Sequence, residues 1–354
     1  MDDGSRKAYA TLVTRASYVP GAVILARSLR KYRSCIPLIV LYTSSLPAEA
    51  VRALEIEADL TNLVLHLVEP LQPSANNKIQ LIAERFADTW TKLRVFEIFD
   101  YDQICFVDAD ILIRNNMDQI FNVKLPSSDW IAAAPVCVCN LDQDKWCPED
   151  WNSDNCPYSS LSHPDALTHF TPVSSSAPPT HHLFNSGVFL FNPSRDLWDR
   201  LIGFFNTSER LAEYKLPDQD FLIDFFHGRW LALPWQFNAL KTMRYWHPHL
   251  WSDDDVVALH YIVDKPWAAR IKSDGSAGYK GKDGETHRWW WGAYDQWVQE
   301  RSSRGYGDVV SILKKYVADE SGSENGLLAA IGAKVQAFAS NSNGVNAKQA
   351  NGSA

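Results

Sequence analysis

The sequence has few cysteines and no long run of one kind of charge, and both absences restrict what the protein can be. Six cysteines in 354 residues do not make a small disulfide scaffold, and a chain of this length can bury a core of normal size without one. Lys and Arg total 34 against 42 for Asp and Glu, which gives a net charge of −8 without a long basic tract. A nucleic-acid backbone or an anionic membrane surface is therefore not the expected main partner.

Apolar stretches of membrane-spanning length are missing near the N-terminus. The longest one there, 19–29, is interrupted by Pro20, Gly21 and Arg27 and is shorter than the roughly 20 residues that a bilayer span needs. The opening letters, MDDGSRK, include no apolar region of the kind that a secretory signal carries. These features predict an ordinary globular enzyme of the cytoplasm.

Three common catalytic motifs are absent as well. No G-x-G-x-x-G follows the first predicted strand, and there is no P-loop, so the sequence does not favour a dinucleotide dehydrogenase or a P-loop kinase. A G-x-S-x-G elbow is also missing, which removes support for a serine hydrolase of that type.

What is present is a regular alternation of short apolar runs and helical periods over the first 110 residues. Such alternation predicts an α/β fold with a mostly parallel sheet covered by helices. The run 37–43 (PLIVLYT) is apolar throughout, which is typical of a strand buried on both faces. Ser44 or Ser45 is the expected N-cap of the helix that follows. The predicted strands are 8–14, 37–43, 63–68 and 103–107, and the predicted helices are 20–32, 47–58 and 89–99.

The rest of the chain divides into an irregular insertion, a second structured part and a tail. The insertion 136–182 contains four of the six cysteines and many Pro and Ser residues. Residues 318–354 are rich in Gly, Ala, Ser and Asn and predict a flexible tail with at most a weak helix at 327–338. Residues 1–317 form the predicted catalytic domain. Its second part has predicted strands at 187–191 and 256–261, helices at 197–205 and 218–226, and a flexible glycine-containing loop at 275–284.

Asp108-Ala109-Asp110 is the sharpest local feature, because it follows directly on a buried strand. Ligands bind at the carboxyl ends of strands in open α/β sheets, and carboxylate pairs suit divalent cations that bridge to phosphates. His260 lies near the end of an apolar strand and would complete a site suited to Mn²⁺. A solvated turn and a buried core histidine are the structural alternatives.

Three further motifs carry polar groups that could act on a substrate. Lys265 stands next to Pro266 and could contact a phosphate or simply belong to a surface turn. Asp218-Gln219-Asp220 opens a helix, where carboxylates are electrostatically favourable, but these groups could also stabilise a developing oxocarbenium ion. Asn185-Ser186 suits hydroxyl recognition and equally suits a turn.

Taken in order, these pieces resemble glycosyltransferase family 8, the retaining group that includes glycogenin and galactinol synthase. Each motif is weak by itself, but five of them occur in the order of the family and span nearly all of the chain before the tail. The matching segments are 9–29 (YATLVTRASYVPGAVILARSL), 91–113 (TKLRVFEIFDYDQICFVDADILI), 184–192 (FNSGVFLFN), 217–222 (PDQDFL) and 260–267 (HYIVDKPW).

The resemblance implies a single-domain, Rossmann-like fold of the GT-A type and a retaining transfer of glucose or galactose from a UDP-sugar. It implies Mn²⁺ as the cofactor, with Asp108, Asp110 and His260 as the metal ligands. The catalytic residues by the same resemblance are Asp218, Gln219 and Lys92. Contacts with the donor are expected from Leu12, Thr14, Tyr18, Lys92, Ala109, Asn185, Ser186 and Lys265.

The chain departs from the family pattern at two positions. Many relatives have glycine where Val263 stands, and glycogenin has an acidic residue where this chain has Lys215. The cysteine-bearing insertion is similar to that of the galactinol synthase branch, which predicts a polyol or saccharide acceptor. The spacing of its cysteines does not fit the paired C-x₂-C zinc pattern, so reduced thiols are the default expectation and a structural zinc site the alternative.

Two other functions stay open at this point. The first is a self-glucosylating primer like glycogenin, in which Tyr245 would be the acceptor. The second is a nucleotide-sugar or carbohydrate-binding protein without turnover. In the preferred interpretation the segment 242–248 (TMRYWHP) forms an acceptor wall, with Arg244 and His247 donating to hydroxyl groups. A homodimer is a further open alternative, and neither nucleic acid nor a membrane span is expected.

Overall fold

The computed structural model describes residues 4–73 and 88–319, except residues 172 and 175. Ten strands lie within this part of the chain. They are β1 (Lys7–Val13), β2 (Leu38–Tyr42), β3 (Leu63–Leu67), β4 (Gln103–Val107), β5 (Ile111–Ile113), β6 (Ile131–Pro135), β7 (Phe184–Phe191), β8 (Trp230–Ala232), β9 (Ala239–Leu240) and β10 (Ala258–His260).

Seven α-helices of the described residues accompany the strands, with several short 3₁₀ segments between them. None of these helices combines the length and the hydropathy that crossing a membrane requires. The helices are α1 (Val19–Lys31), α2 (Ala48–Thr61), α3 (Arg195–Thr207), α4 (Pro217–Phe225), α5 (Met243–Trp246), α6 (Gly284–Ser303) and α7 (Gly307–Lys314).

The central sheet has seven strands in the order β3-β2-β1-β4-β7-β6-β8. Strands β1 to β4 pair in parallel, and β8 pairs in parallel with β6. Only β7 runs antiparallel to its two neighbours, β4 and β6. The expected α/β architecture with a mostly parallel sheet is therefore confirmed.

A small second sheet has the strand order β5-β10-β9. Because β5 follows closely on β4, this sheet places β9 and β10 near the end of β4. Strand β10 pairs antiparallel with β5, so that His260 lies opposite Ile111. Since Ile111 follows directly on Asp110, this register sets the imidazole next to the acidic turn between β4 and β5. Two segments separated by about 150 positions of sequence thus meet at one edge of the fold.

Apolar side chains of the central sheet point alternately into two cores. Leu38 and Val40 of β2 pack into the core shared with α1, α2 and α6, whereas Ile39 and Leu41 pack into the core shared with α3 and α4. This is the packing that an uninterrupted apolar strand predicts, since both faces of the sheet are covered.

Most predicted elements exist with boundaries shifted by a few residues, but some details were wrong. Pro47, not Ser44 or Ser45, is the N-cap of α2, and the Ser45 hydroxyl instead shares a hydrogen bond with the Thr43 hydroxyl. The predicted helix 89–99 is a 3₁₀ segment, Thr89–Glu97. The sequence patterns did not predict β5, β6, β8, β9, α5, α6 or α7.

Two predicted irregular segments have different outcomes. Within its described residues, the insertion contains the 3₁₀ turns Ser153–Asn155, Asp165–Leu167 and Pro179–His182 and is otherwise irregular. The weak helix expected at 327–338 lies outside the described residues, as does nearly all of the predicted tail.

Candidate active site

A cavity of about 380 Å³ opens at the carboxyl ends of β1 and β4. This is the edge at which open α/β sheets bind their ligands. The metal-ligand, catalytic and donor-contact residues that the family resemblance implied all line this one cavity. They are Leu12, Thr14, Tyr18, Lys92, Asp108, Ala109, Asp110, Asn185, Ser186, Asp218, Gln219, His260 and Lys265.

Asp108, Asp110 and His260 form the acidic end of the cavity. The Nε2 atom of His260 lies 3.4 Å from Oδ1 of Asp110 and 4.0 Å from Oδ2 of Asp108. One ligand atom from each of the three residues falls within 4.8 Å of the others. Two carboxylate oxygens and one imidazole nitrogen form a donor set that suits Mn²⁺.

The imidazole of His260 is held in place by an amide that the sequence motifs did not reveal. Its Nδ1 lies 2.9 Å from Oδ1 of Asn238, and the amide nitrogen of Asn238 donates to Oδ1 of Asn185 at 2.8 Å. Because an amide oxygen can only accept, Nδ1 of His260 is the donor in this hydrogen bond, and Nε2 is the ring nitrogen that faces the two carboxylates. A metal-binding histidine is commonly oriented in this way by a partner of its other nitrogen.

Gly187 makes this arrangement sterically possible. A Cβ atom built at Gly187 would lie 2.3 Å from Cε1 of His260, far inside a van der Waals contact. The glycine of the FNSG motif therefore leaves the room that the imidazole ring occupies. Sequence reasoning had assigned no role to it.

Lys92 connects the acidic end of the cavity to the end formed by helix α4. Its Nζ lies 3.0 Å from Oδ1 of Asp108 and 2.5 Å from Oδ2 of Asp218. Burial by itself would lower the pKa of this lysine, but the two carboxylates outweigh burial and raise it. Lys92 therefore remains an ammonium group throughout the ordinary pH range.

Lys265 neutralises the second carboxylate of the acidic turn. Its ammonium group contacts Asp110 and donates to the backbone oxygen of Tyr261 at 2.8 Å. Burial would raise the pKa of Asp110, but Lys265 and His260 hold it well below the ordinary value. The pKa of Asp108 is instead raised, chiefly by burial and against the influence of Lys92.

Polar groups of β7 and α4 interlock on the far wall. The hydroxyl of Ser186 donates to Oδ2 of Asp218 at 3.0 Å, and Oε1 of Gln219 accepts from the amide of Asn185 at 3.1 Å. Asp220, by contrast, accepts from the backbone amides of residues 215 and 216 and so fixes the turn that leads into α4. Of the three residues Asp218, Gln219 and Asp220, only the first two line the cavity.

Apolar and aromatic side chains line the end of the cavity near β1. Leu12 and Tyr18 lie there, and the Tyr18 ring packs edge-on against Trp267 with 5.9 Å between centroids. Val263 also lines the cavity and has a φ of +66°, a left-handed conformation that is strained for a β-branched residue. The backbone of Val263 thus has a conformation that glycine adopts without strain, which agrees with the family pattern expected at this position.

Several cavity residues could not be found from motifs. Arg15 and Asp88 form an ion pair at 2.9 Å on one wall, and the insertion contributes two tryptophans, Trp146 and Trp151, which pack edge-on against each other. The high tryptophan content was a general signal for sugar contacts, but it did not indicate which tryptophans face the site.

The expectation that 242–248 forms the acceptor wall was wrong for its polar residues. Arg244 is committed to Asp253 by two hydrogen bonds of 2.9 Å, and His247 is 1% exposed and faces cysteine side chains. Tyr245 does not line the cavity. Its hydroxyl has no hydrogen-bond partner among the described residues, and burial raises its pKa.

Comparisons with known proteins show the family of this chain. The sequence profile of glycosyl transferase family 8 matches residues 10–270. Galactinol synthase 4 of Arabidopsis thaliana is 29% identical over 268 residues, 74% of each chain. Galactinol synthase 1 of Ajuga reptans is 28% identical over 268 residues, 75% of this chain and 74% of its own.

Solved structures share the fold at lower identity. The galactosyltransferase LgtC in complex with donor and acceptor sugar analogs has a TM-score of 0.52 and 19% identity, and covers 80% of this chain and 95% of its own. The glycosyltransferase GlyE of Streptococcus pneumoniae TIGR4 has a TM-score of 0.52 and 17% identity, with coverage of 83% and 64%. The GT-A type of fold expected from the sequence is thereby confirmed.

Proposed function

Since the chain belongs to glycosyltransferase family 8, we propose that this glycosyltransferase moves galactose or glucose from a UDP-sugar to a small polyol or saccharide, with retention of configuration and with Mn²⁺. The observation that carries the proposal is the set of Asp108, Asp110 and His260 beside the polar wall of one cavity. The similarity to galactinol synthases supports the choice of a polyol acceptor.

The charges of the cavity support a divalent cation. Its lining carries four carboxylates, of Asp88, Asp108, Asp110 and Asp218, against three basic groups, of Arg15, Lys92 and Lys265. Such a lining, with His260 left aside, has an excess of one negative charge and would repel a diphosphate. A bound Mn²⁺ would supply Lewis-acid stabilisation of the charge that develops on the leaving diphosphate.

The two buried lysines are placed to help hold that diphosphate. Lys92 and Lys265 are both at most 7% exposed, and each is paired with one carboxylate of the acidic turn. Once a divalent cation binds to the same carboxylates, the two ammonium groups can also form hydrogen bonds with phosphate oxygens. Because the pKa of Lys92 is raised, it carries this charge without depending on pH near neutrality.

The donor sugar is proposed to lie against Asn185, Asp218 and Gln219. The side chains of Asn185 and Gln219 are hydrogen-bonded to each other at 3.1 Å, so the wall that meets the sugar hydroxyls is preorganised. Asp218 and Gln219 are the groups proposed to stabilise positive charge at the anomeric carbon. Leu12, Thr14 and Tyr18 would hold the uridine, and Ala109 and Ser186 would contact the donor.

The acceptor is proposed to bind beside Trp146 and Trp151. Both rings belong to the insertion and line the cavity, and an aromatic face is a good surface for a sugar or polyol ring. They replace the wall expected from segment 242–248. All six cysteines are free, as in a reducing compartment, and the proposal therefore includes a cytoplasmic location.

The test is transfer itself. The purified chain is incubated with UDP-galactose or UDP-glucose, Mn²⁺ and a panel of polyols and saccharides, and UDP release and product mass are both measured. Asp110→Asn should lower turnover by roughly 100-fold or more with the fold intact, because a direct metal ligand matters at least as much as its supporting residues. Asp199→Asn, an exposed carboxylate on α3, is the matched control and should act like the wild type.

The other functions give different results in the same assay. Donor binding without UDP release or product, for every acceptor in the panel, would refute the enzymatic proposal in favour of a binding protein. Hexose added to the protein rather than to an acceptor would favour the primer. Activity that survives both chelation and Asp110→Asn would refute the role of the metal.

A further inference from the structure

Three cysteines and a histidine meet at a second buried place, next to the proposed acceptor side of the cavity. The Nε2 atom of His247 lies 3.2 Å from the sulfur of Cys137, 3.2 Å from that of Cys139 and 3.7 Å from that of Cys156. The sulfurs of Cys137 and Cys156 are 3.9 Å apart. All four residues are buried, and their ligand atoms lie within 4.8 Å of one another.

These separations fit tetrahedral coordination. With Zn–S bonds of about 2.3 Å and a Zn–N bond of about 2.0 Å, tetrahedral angles place two sulfurs about 3.8 Å apart and a sulfur and a nitrogen about 3.5 Å apart. The observed sulfur–sulfur and sulfur–nitrogen distances lie within a few tenths of an ångström of these values. Three sulfurs and one imidazole nitrogen also form a donor set of known structural zinc sites.

Separate chain segments position the four side chains, and each segment is fixed locally. Cys137 and Cys139 follow β6 with one residue between them. Cys156 ends the turn Ser153–Asn155, which the side chain of Asn152 caps. His247 ends α5, and its backbone amide donates to the oxygen of Met243 at 2.8 Å.

Of the two ring nitrogens of His247, only Nε2 contacts polar side-chain atoms of the described residues. Its Nδ1 has no hydrogen-bond partner among the described residues, and the ring of Tyr158 packs edge-on against the imidazole at 5.8 Å. The hydroxyl of Tyr158 donates to the backbone oxygen of Pro135 at 2.8 Å, which ties this packing to the end of β6. The histidine is therefore held with Nε2 directed at the sulfurs.

A second set of carboxylate and histidine side chains differs from the cysteine cluster, because a lysine already neutralises it. Asp264, Asp283 and His287 also lie close together, but the ammonium of Lys241 sits between the two carboxylates at 2.8 and 2.7 Å. That cluster already contains its cation. Within the part of the chain that the structure describes, the side-chain hydrogen bonds of the three cysteines go to one another, to His247 and to Ser159, and not to a lysine or arginine.

We propose that Cys137, Cys139, Cys156 and His247 form a structural zinc site, separate from the catalytic metal site. The ion would close the segment 140–155 into a loop and fasten it to the chain after α5. That loop carries Trp146 and Trp151, and Cys137 itself lines the cavity, so the zinc site fixes the wall that faces the acceptor. The proposal does not depend on which sugar is transferred or on whether transfer occurs.

Metal content of the full chain tests this site directly. The protein, expressed with added zinc and purified without chelator, should contain about one zinc per chain by elemental mass spectrometry. Cys139→Ser and Cys156→Ser should lose that zinc. Cys147→Ser, a cysteine of the same insertion outside the cluster, and Asp110→Asn should keep it.

Two readouts apply even if the cysteine variants fold poorly. Wild-type chain grown with cobalt should show the intense visible absorption of tetrahedral cobalt–thiolate coordination, which an oxygen-rich catalytic site does not produce. Removing zinc from the wild type with a strong chelator should lower the thermal midpoint by roughly 5 °C or more, reversibly on zinc addition.

The opposite results overturn the proposal. A wild-type chain that contains no zinc after expression with zinc, and whose thermal midpoint does not rise when zinc is added, would show that the cluster is only a set of reduced thiols. Zinc content that is unchanged in Cys139→Ser but lost in Asp110→Asn would place the metal in the catalytic site instead.

Discussion

Replacing Gly187 by alanine tests the geometry of the proposed catalytic metal site through a residue that contributes no ligand. The added Cβ would lie 2.3 Å from Cε1 and 2.7 Å from Nδ1 of His260, and 2.9 Å from Oδ1 of Asn185. Carbon atoms in contact are normally about 3.5–4.0 Å apart, so the ring must move by more than about 1 Å. That movement would break the 2.9 Å hydrogen bond between Nδ1 of His260 and Asn238.

The expected effect on the metal can be given a size. Loss of a residue that orients a metal-binding histidine typically lowers affinity by about 10- to 100-fold, which corresponds to about 1.4–2.8 kcal/mol. We expect Gly187→Ala to weaken Mn²⁺ by an amount in this range and to lower global stability by about 1–3 kcal/mol through overpacking. Mn²⁺ binding is measured from the free-ion signal in electron paramagnetic resonance, and folding from near-ultraviolet circular dichroism.

The matched control is Gly203→Ala on α3, where an added Cβ meets no atom within 4 Å. This variant should bind Mn²⁺ like the wild type and be more stable by about 0.5–1 kcal/mol, because alanine is the better residue in a helix. If Gly187→Ala remains folded with wild-type Mn²⁺ affinity, the inferred steric and hydrogen-bond support of His260 is refuted.

Three further predictions concern residues away from the proposed metal ligands. Val263→Gly should raise stability by about 1 kcal/mol in a denaturant titration, because relief of the strained φ of +66° exceeds the entropic cost of glycine, and a lower midpoint would contradict this. Arg301→Met should lower stability by about 3–5 kcal/mol, because the buried carboxylate of Glu57 loses its charged partner and two hydrogen bonds of 2.7 Å and keeps only the Trp297 indole as a side-chain donor among the described residues. The same change at exposed Arg288 should cost no more than about 0.5 kcal/mol, and equal losses would refute the argument. Tyr245→Phe should retain transfer to a small acceptor, and the wild type should gain no hexose mass, whereas a mass ladder lost in the variant would establish the primer.

The parts of the fold that follow from local pattern could be predicted from the sequence. The apolar run at β2 indicated a strand buried on both faces, and Leu38 and Ile39 indeed point into opposite cores. The acidic turn after β4 could be placed at a ligand-binding edge, because it follows the carboxyl end of a strand and ligands of open α/β sheets bind at the carboxyl ends of the strands. For the same reason Asp108 and Asp110 were recognisable as a candidate metal site.

What could not be predicted depends on contacts between distant residues. Helix α6 has three consecutive tryptophans, 289–291, which obscure a helical period, and its buried side depends on Glu57 in α2. Asn238 is the last residue of the short 3₁₀ turn Trp235–Asn238 before β9, and only the three-dimensional structure shows that it holds His260. The same is true of His247, which lies about 90 positions after the last cysteine of its cluster.

The walls of the cavity come from positions as far apart as Leu12 and Lys265, and this has a consequence for the folding equilibrium. Because the site exists only when the ends of β1, β4, β7 and α4 are assembled together, a ligand that fills it binds only the nearly complete native state. Mass action then transfers the binding free energy to the whole assembly, by about 2.7 kcal/mol at a ligand concentration one hundred times its dissociation constant. Opening of any one wall then requires the ligand to dissociate, so bound ligand raises the free energy of that opening. Saturation with ligand should therefore slow hydrogen exchange also in strands that do not contact it.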